Sequence, residues 1–120
     1  MYNPGTADEW KRAIAEEAET LRADSFEATD PLCVDLDFTM PRPRKHFRTG
    51  KYAHLLKEGA PIWHLTKPDA DNLAKSSIDA CVDGGLLVDD RSIAVLRVTK
   101  CYAGPGEASG CRISIASLPD

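Results

Sequence analysis

After Pro31, nine residues alternate without a break: Leu32, Val34, Leu36, Phe38 and Met40 are apolar, with Cys33, Asp35, Asp37 and Thr39 between them. Successive side chains of an extended chain point to opposite faces, so the run predicts a strand with one buried face and one wetter face. Asp35 and Asp37 then fall on the wetter face, and a solvated sheet surface accounts for them better than a second catalytic carboxylate pair.

Other elements arrange themselves around this strand. Thr6 and Glu9 form a Thr-x-x-Glu capping box, and Trp10, Ile14, Ala18 and Leu21 share one face of the segment that follows. Residues 7–23 are therefore expected to be an amphipathic helix. Residues 41–60 keep no period and contain two prolines and two glycines, which predicts a long loop with one turn of helix near Tyr52 to Lys57. A short strand is expected at Ile62 to Lys67, then a helix from Asp71 to Val82 stopped by Gly84 and Gly85. Ser92 to Tyr102 and Cys111 to Ser117 read as strands, joined in a hairpin by Gly104-Pro105-Gly106. The order α-β-loop-β-α-β-β predicts an α+β fold with helices packed on a mixed sheet. At 120 residues the chain suffices for a single domain, 1–120, but not for two.

The four cysteines, Cys33, Cys81, Cys101 and Cys111, match no zinc spacing, and the N-terminus has no basic-then-apolar leader pattern. Reduced, mostly buried thiols in a cytoplasmic protein are the expectation, with Cys101 facing Cys111 across the hairpin as the alternative. No apolar run is long enough to cross a bilayer. Formal net charge is −4, which by itself argues against nucleic acid, but the charge is segregated. Arg42, Arg44, Lys45, Arg48 and Lys51 lie within ten residues that contain no acid, so the rest of the chain carries −9. Phosphate responds to local potential, and this loop, with His46 in it and Lys67 beyond it, is the candidate nucleic-acid-binding surface.

The chemistry points to KPDADNLAK, residues 67–75. Pro68 biases Lys67 to extended geometry, so a strand should end there, with Asp69 and Asp71 on the same side and Asp71 or Asn72 capping the helix. Lys75 lies one turn after Asp71. Two carboxylates held close stay ionised when a cation lies between them, and oxygen-rich sites suit magnesium or manganese. A loop entering the strand near Ser92 can return Asp90 to the same place. Asp-x-Asp alone is weak evidence, since caps and turns produce it often.

The run KPDADNLAKSSIDACVDGGLLVDD, with Lys100 and Tyr102 after it, resembles the RusA family of Holliday junction resolvases. Asp69, Asp71, Asn72, Leu73, Lys75, Asp79, Gly85, Asp89 and Asp90 match the family pattern, and PRPRKHFRTG and APIWHLTKPD are similar to phage-type members. The resemblance implies that Asp69, Asp71 and Asp90 are catalytic carboxylates holding Mg2+, with Mn2+ as a possible substitute, and that Lys75 is the catalytic lysine. It also implies a homodimer that nicks four-way DNA junctions in pairs, in recombination and repair. Asp89 would orient the loop or assist from behind. Leu86-Leu87-Val88 replaces the aromatic residue usual before the Asp-Asp pair, and a counterpart of the family's first strand is not expected before the N-terminal helix, either because the strand is missing or because the start is misassigned. The alternatives are a non-catalytic DNA-binding relic of the family and a metal-dependent phosphoesterase for another nucleic acid. His54 and His64 have no partners at ligand spacing and read as structural or exposed, while Trp63 and Tyr52 suit either base stacking or ordinary packing.

Overall fold

The computed structural model describes residues 30–119. The expected helix at 7–23 lies outside these residues. Strand β1 spans Leu32–Met40, helix α1 Ala70–Asp83, β2 Ile93–Tyr102 and β3 Gly110–Ser117, with short 3-10 turns at Arg44–His46, Gly50–Tyr52 and Asp90–Ser92. The sheet order is β2-β1-β3; β1 runs parallel to β2 and antiparallel to β3. Strand plus helix in this mixed arrangement is the α+β architecture that the element order predicts.

β1 behaves as its alternation dictates. Leu32, Val34, Leu36, Phe38 and Met40 are all buried. Val34, Leu36, Phe38 and Met40 pack with Leu73 and Ala74 of α1, and half-buried Val98 and Ile113 close the cluster from the flanking strands. On the opposite face, Asp35 accepts a hydrogen bond from Arg97 Nε at 2.6 Å, and the Thr99 hydroxyl donates to Asp37 at 2.6 Å. Both partners lie directly across the parallel ladder, so these carboxylates stitch β1 to β2 at the surface.

α1 buries Leu73, Ala74, Ser77, Ala80 and Cys81, a stripe at helical spacing. Its end matches the glycine stop in the sequence. Gly85 sits at φ +82°, where a side chain is strained; its N–H reaches the Val82 carbonyl, and the Leu86 N–H reaches that of Cys81. The chain reverses, and Leu87 packs under Leu32, Ala80 and Cys81.

The structure corrects several local expectations. β2 and β3 form no hairpin: both pair with β1, and residues 103–109 carry the chain across its end. The Ala103 N–H bonds to the Met40 carbonyl at 2.9 Å, which pins that crossing. β1, with its fully buried face, takes a partner on each edge, so the Gly104-Pro105-Gly106 turn serves a longer connection. Cys101 and Cys111 consequently flank β1, opposite Thr39 and Phe38 respectively, and all four thiols are free. Burial pushes the Cys81 thiol up to about 11 and, with Cys81 and Asp37 as lesser causes, that of Cys111 to about 12. The expected strand at 62–67 shrinks to one bridge between Trp63 and Cys101. Beyond it the Thr66 and Pro68 carbonyls turn to Lys100 Nζ, at 2.8 Å each, and leave the ladder. No helical turn forms over residues 53–57; the 3-10 turn lies earlier, at Gly50–Tyr52, and Asp69, not Asp71 or Asn72, occupies the N-cap position of α1.

Phe38 has no exposed surface and sits at the centre of this arrangement. Phe38→Ala is expected to destabilise the fold by about 3–5 kcal/mol in urea unfolding. A cost below about 1 kcal/mol would mean that β1 is not the core strand.

Candidate active site

α1 presents Asp71, Lys75 and Asp79 at successive four-residue intervals, and helical geometry stacks them along one face. That face borders a cleft of about 500 Å3 against β2, with Ile78, Leu96 and Val98 as its apolar floor. Asp90 enters the same cleft from the turn that precedes β2. Residues separated by a whole helix and its return thus meet, because α1 lies across the strand into which the Asp89-Asp90 turn feeds.

The two adjacent aspartates have different surroundings. Asp89 caps the 3-10 turn: its carboxylate accepts from the Arg91 amide at 2.9 Å and from Arg91 Nε at 3.2 Å. The Arg91 amide, and after it the Asp90 side chain, hold the Asp89 carboxyl below the usual carboxylate range. Asp89 shapes the turn, and Asp90 lines the cleft. Asp69 contributes no side-chain hydrogen bond to the helix it caps; only its carbonyl is engaged, by the Leu73 N–H at 3.0 Å. It lies with Lys67, Pro68 and Asn72 on a smaller depression of about 300 Å3 and does not line the cleft itself. None of the ion pairs among the described residues involves Lys75 or Asp71, so the lysine is not tied up in an ordinary surface salt bridge.

The structure therefore brings Asp71, Lys75 and Asp90 to one cleft and leaves Asp69 at its margin. Among the described residues, no three His, Cys, Asp or Glu side chains converge into a group able to hold a metal ion by themselves. The donor set nevertheless fits magnesium in kind. This ion takes hard oxygen ligands and is commonly held by one or two carboxylates, with water and substrate phosphate completing the shell.

The basic loop divides in two. Arg44, Lys45, Arg48 and Lys51 are exposed, as is Lys67. Arg48 also donates from Nε to the Leu56 carbonyl at 3.1 Å. Arg42 turns inward: Nε donates to the Ala103 carbonyl at 2.7 Å and Nη1 to that of Pro61 at 2.8 Å, while the guanidinium covers the Tyr102 ring at 5.1 Å. His46 and His64 meet the same ring edge-on at 4.8 and 4.9 Å. Burial, followed by Arg42, Lys45 and Lys57, lowers the pKa of His46; burial and then Lys100 lower that of His64. His64 is buried, with Nε2 at 3.2 Å from the Thr66 hydroxyl, whereas His54 is exposed.

Tyr102 and Lys100 are site-building residues to which the sequence alone assigns no role. Tyr102 gathers the loop, and Lys100 clamps the segment leading into Asp69. One signal is present: Val98, Lys100 and Tyr102 share the phase of β2 that opposes Leu36, Phe38 and Met40. A lysine at a core-facing phase needs acceptors, and here they are two backbone carbonyls.

Among the described residues, no helix is long and apolar enough to cross a membrane. No curated protein matches the chain significantly. The family described as Endodeoxyribonuclease RusA matches residues 1–115, nearly the whole length, and takes in both the acidic cleft and the basic loop. The chain belongs to the RusA endodeoxyribonuclease family.

Proposed function

We propose that this protein is a magnesium-dependent, structure-selective endonuclease that resolves four-way DNA junctions by paired nicking. The observation that carries the reading is the cleft shared by Asp71, Lys75 and Asp90, set in a chain of the RusA family. Asp71 and Asp90 would hold the metal from either wall, with Asp69 reaching in from the cap of α1. Bound magnesium supplies a water of lowered pKa and Lewis acidity at the phosphate. Lys75 Nζ neutralises a non-bridging oxygen as charge accumulates there. The water oxygen bonds to phosphorus and gives up a proton to solvent, one phosphodiester P–O bond breaks, and the departing oxygen takes a proton from solvent, so that one water is added overall. Opposed strands of a junction are related by approximate two-fold symmetry, so paired cuts call for a homodimer with two such sites.

A second reading is a family member that binds branched DNA without cutting it. It is favoured by the failure of three donors to converge among the described residues. Magnesium-dependent nicking of a synthetic four-way junction, beside linear duplex and single strands, separates the two.

Asp71→Asn is expected to abolish nicking while junction binding holds or tightens, because removing a carboxylate also removes repulsion toward phosphate. Lys75→Ala should lower the single-turnover rate by about 100- to 1,000-fold, the usual effect of deleting a group that stabilises charge in the transition state. Normal nicking by either variant would overturn the site assignment.

The exposed cations of the loop should act additively and without sequence preference. Replacing Arg44, Arg48 and Lys51 by alanine is expected to flatten the log–log salt dependence of duplex binding by roughly 0.9 for each phosphate that is no longer neutralised. An unchanged slope would show that these cations do not meet DNA. Arg42→Ala should in addition lower thermal stability, since it removes the link to Ala103 and Pro61.

A further inference from the structure

The segment just before Asp69 has an unusual surface. Ile62, Trp63 and Leu65 are 68%, 58% and 88% exposed, while His64 between them is buried. Soluble proteins rarely leave a run of large apolar side chains in water without a use for it. The backbone beneath is fixed: the His64 N–H bonds to the Lys100 carbonyl at 3.0 Å, the Tyr102 N–H to that of Ile62 at 2.8 Å, and Trp63 bridges to Cys101. His64 faces inward onto Tyr102, so the alternation of an extended chain holds Trp63 and Leu65 outward. The ridge is thus a projection tied to the edge of β2.

Its surroundings are cationic. Residues 38–68 contain seven lysines and arginines against the single acid Glu58. An apolar ridge within such a field suits a ligand with both a polyanionic backbone and exposed aromatic faces. Paired duplex offers only the first; the branch point of a junction, where bases lose stacking neighbours, offers both. Trp63 also lies six residues before Asp69, with Lys100 clamping the chain between them.

We infer that Trp63 and Leu65 form a wedge that stacks against unstacked bases at the branch point and so places the scissile strand at the cleft. This rests on the branched-DNA reading above. Stacking of a base on an aromatic side chain contributes about 1–3 kcal/mol, a change in affinity of about 5- to 150-fold. The wedge thereby supplies structure selectivity, and the loop cations supply affinity that is blind to structure.

The test is fluorescence-anisotropy binding of the full chain to a four-way junction and to a duplex of equal arm length, without divalent metal so that no strand is cut. Trp63→Ala should lose about 5- to 150-fold in junction affinity with duplex affinity unchanged, and Trp63→Phe should keep most of it. Leu65→Ala, at a position too exposed to unsettle the fold, should show a smaller loss in the same direction. A 2-aminopurine placed at the branch should be quenched by the wild type and not by Trp63→Ala. Unchanged junction preference in Trp63→Ala and Leu65→Ala overturns the wedge, as does an equal loss on both DNAs. A shift in sedimentation with no change in DNA binding overturns it too, and assigns the ridge to contact between copies of this chain. A wild-type protein with no preference for the junction would instead bring down the branched-DNA reading and, with it, this inference.

Discussion

The burial of one face of β1 is the constraint on which the rest depends. Its five apolar side chains are shielded by α1, and the backbone on either side is satisfied by a neighbouring strand. Because β2 runs parallel to β1, the intervening chain must cross from one end of the sheet to the other, and α1 lies on that crossing. The stripe bearing Asp71, Lys75 and Asp79 therefore faces the β2 side of the sheet. The turn that starts β2 delivers Asp90 to the same cleft. Weakening the β1 core would blur the site before any of its polar residues was touched.

Two kinds of electrostatics are kept apart in space. The cleft carries carboxylates that suit a divalent cation, and the 41–60 loop carries cations that suit phosphate. Tyr102 holds the loop to the sheet through Arg42 and His46, and the segment after the loop through His64. Lys100, two residues earlier, directs its ammonium to the carbonyls of Thr66 and Pro68. The end of β2 thus anchors the basic loop and sets the approach to Asp69. Such an arrangement lets a chain of net charge −4 present a strongly positive surface.

Several features were legible in the residues alone because their causes are local. Period-two alternation specified β1 and its wet face, where Asp35 and Asp37 now take Arg97 and Thr99. The diglycine stop specified the end of α1, and the spacing from Asp69 to Asp90 carried the family resemblance that the match to residues 1–115 upholds. Charge segregation located the basic loop, but it could not distinguish Arg42, which turns inward, from Arg44 and Lys45, which do not.

What only the tertiary structure decided is which distant partners each element takes. The turn chemistry at Gly104 to Gly106 is compatible with a hairpin, yet β3 pairs with β1, because a strand with a fully buried face leaves less backbone unsatisfied when both its edges are occupied. The strand expected at 62–67 gave way to a single bridge once Lys100 claimed the carbonyls beyond it. Asp90 joins Asp71 in one cleft while Asp69, closer in sequence, stays at the margin. Helix phase and crossover path govern that proximity, and local spacing does not encode them. The sequence by itself determined β1, the end of α1 and the family, because their causes are local or lie in spacing; the order of strands about β1 decided which side chains meet.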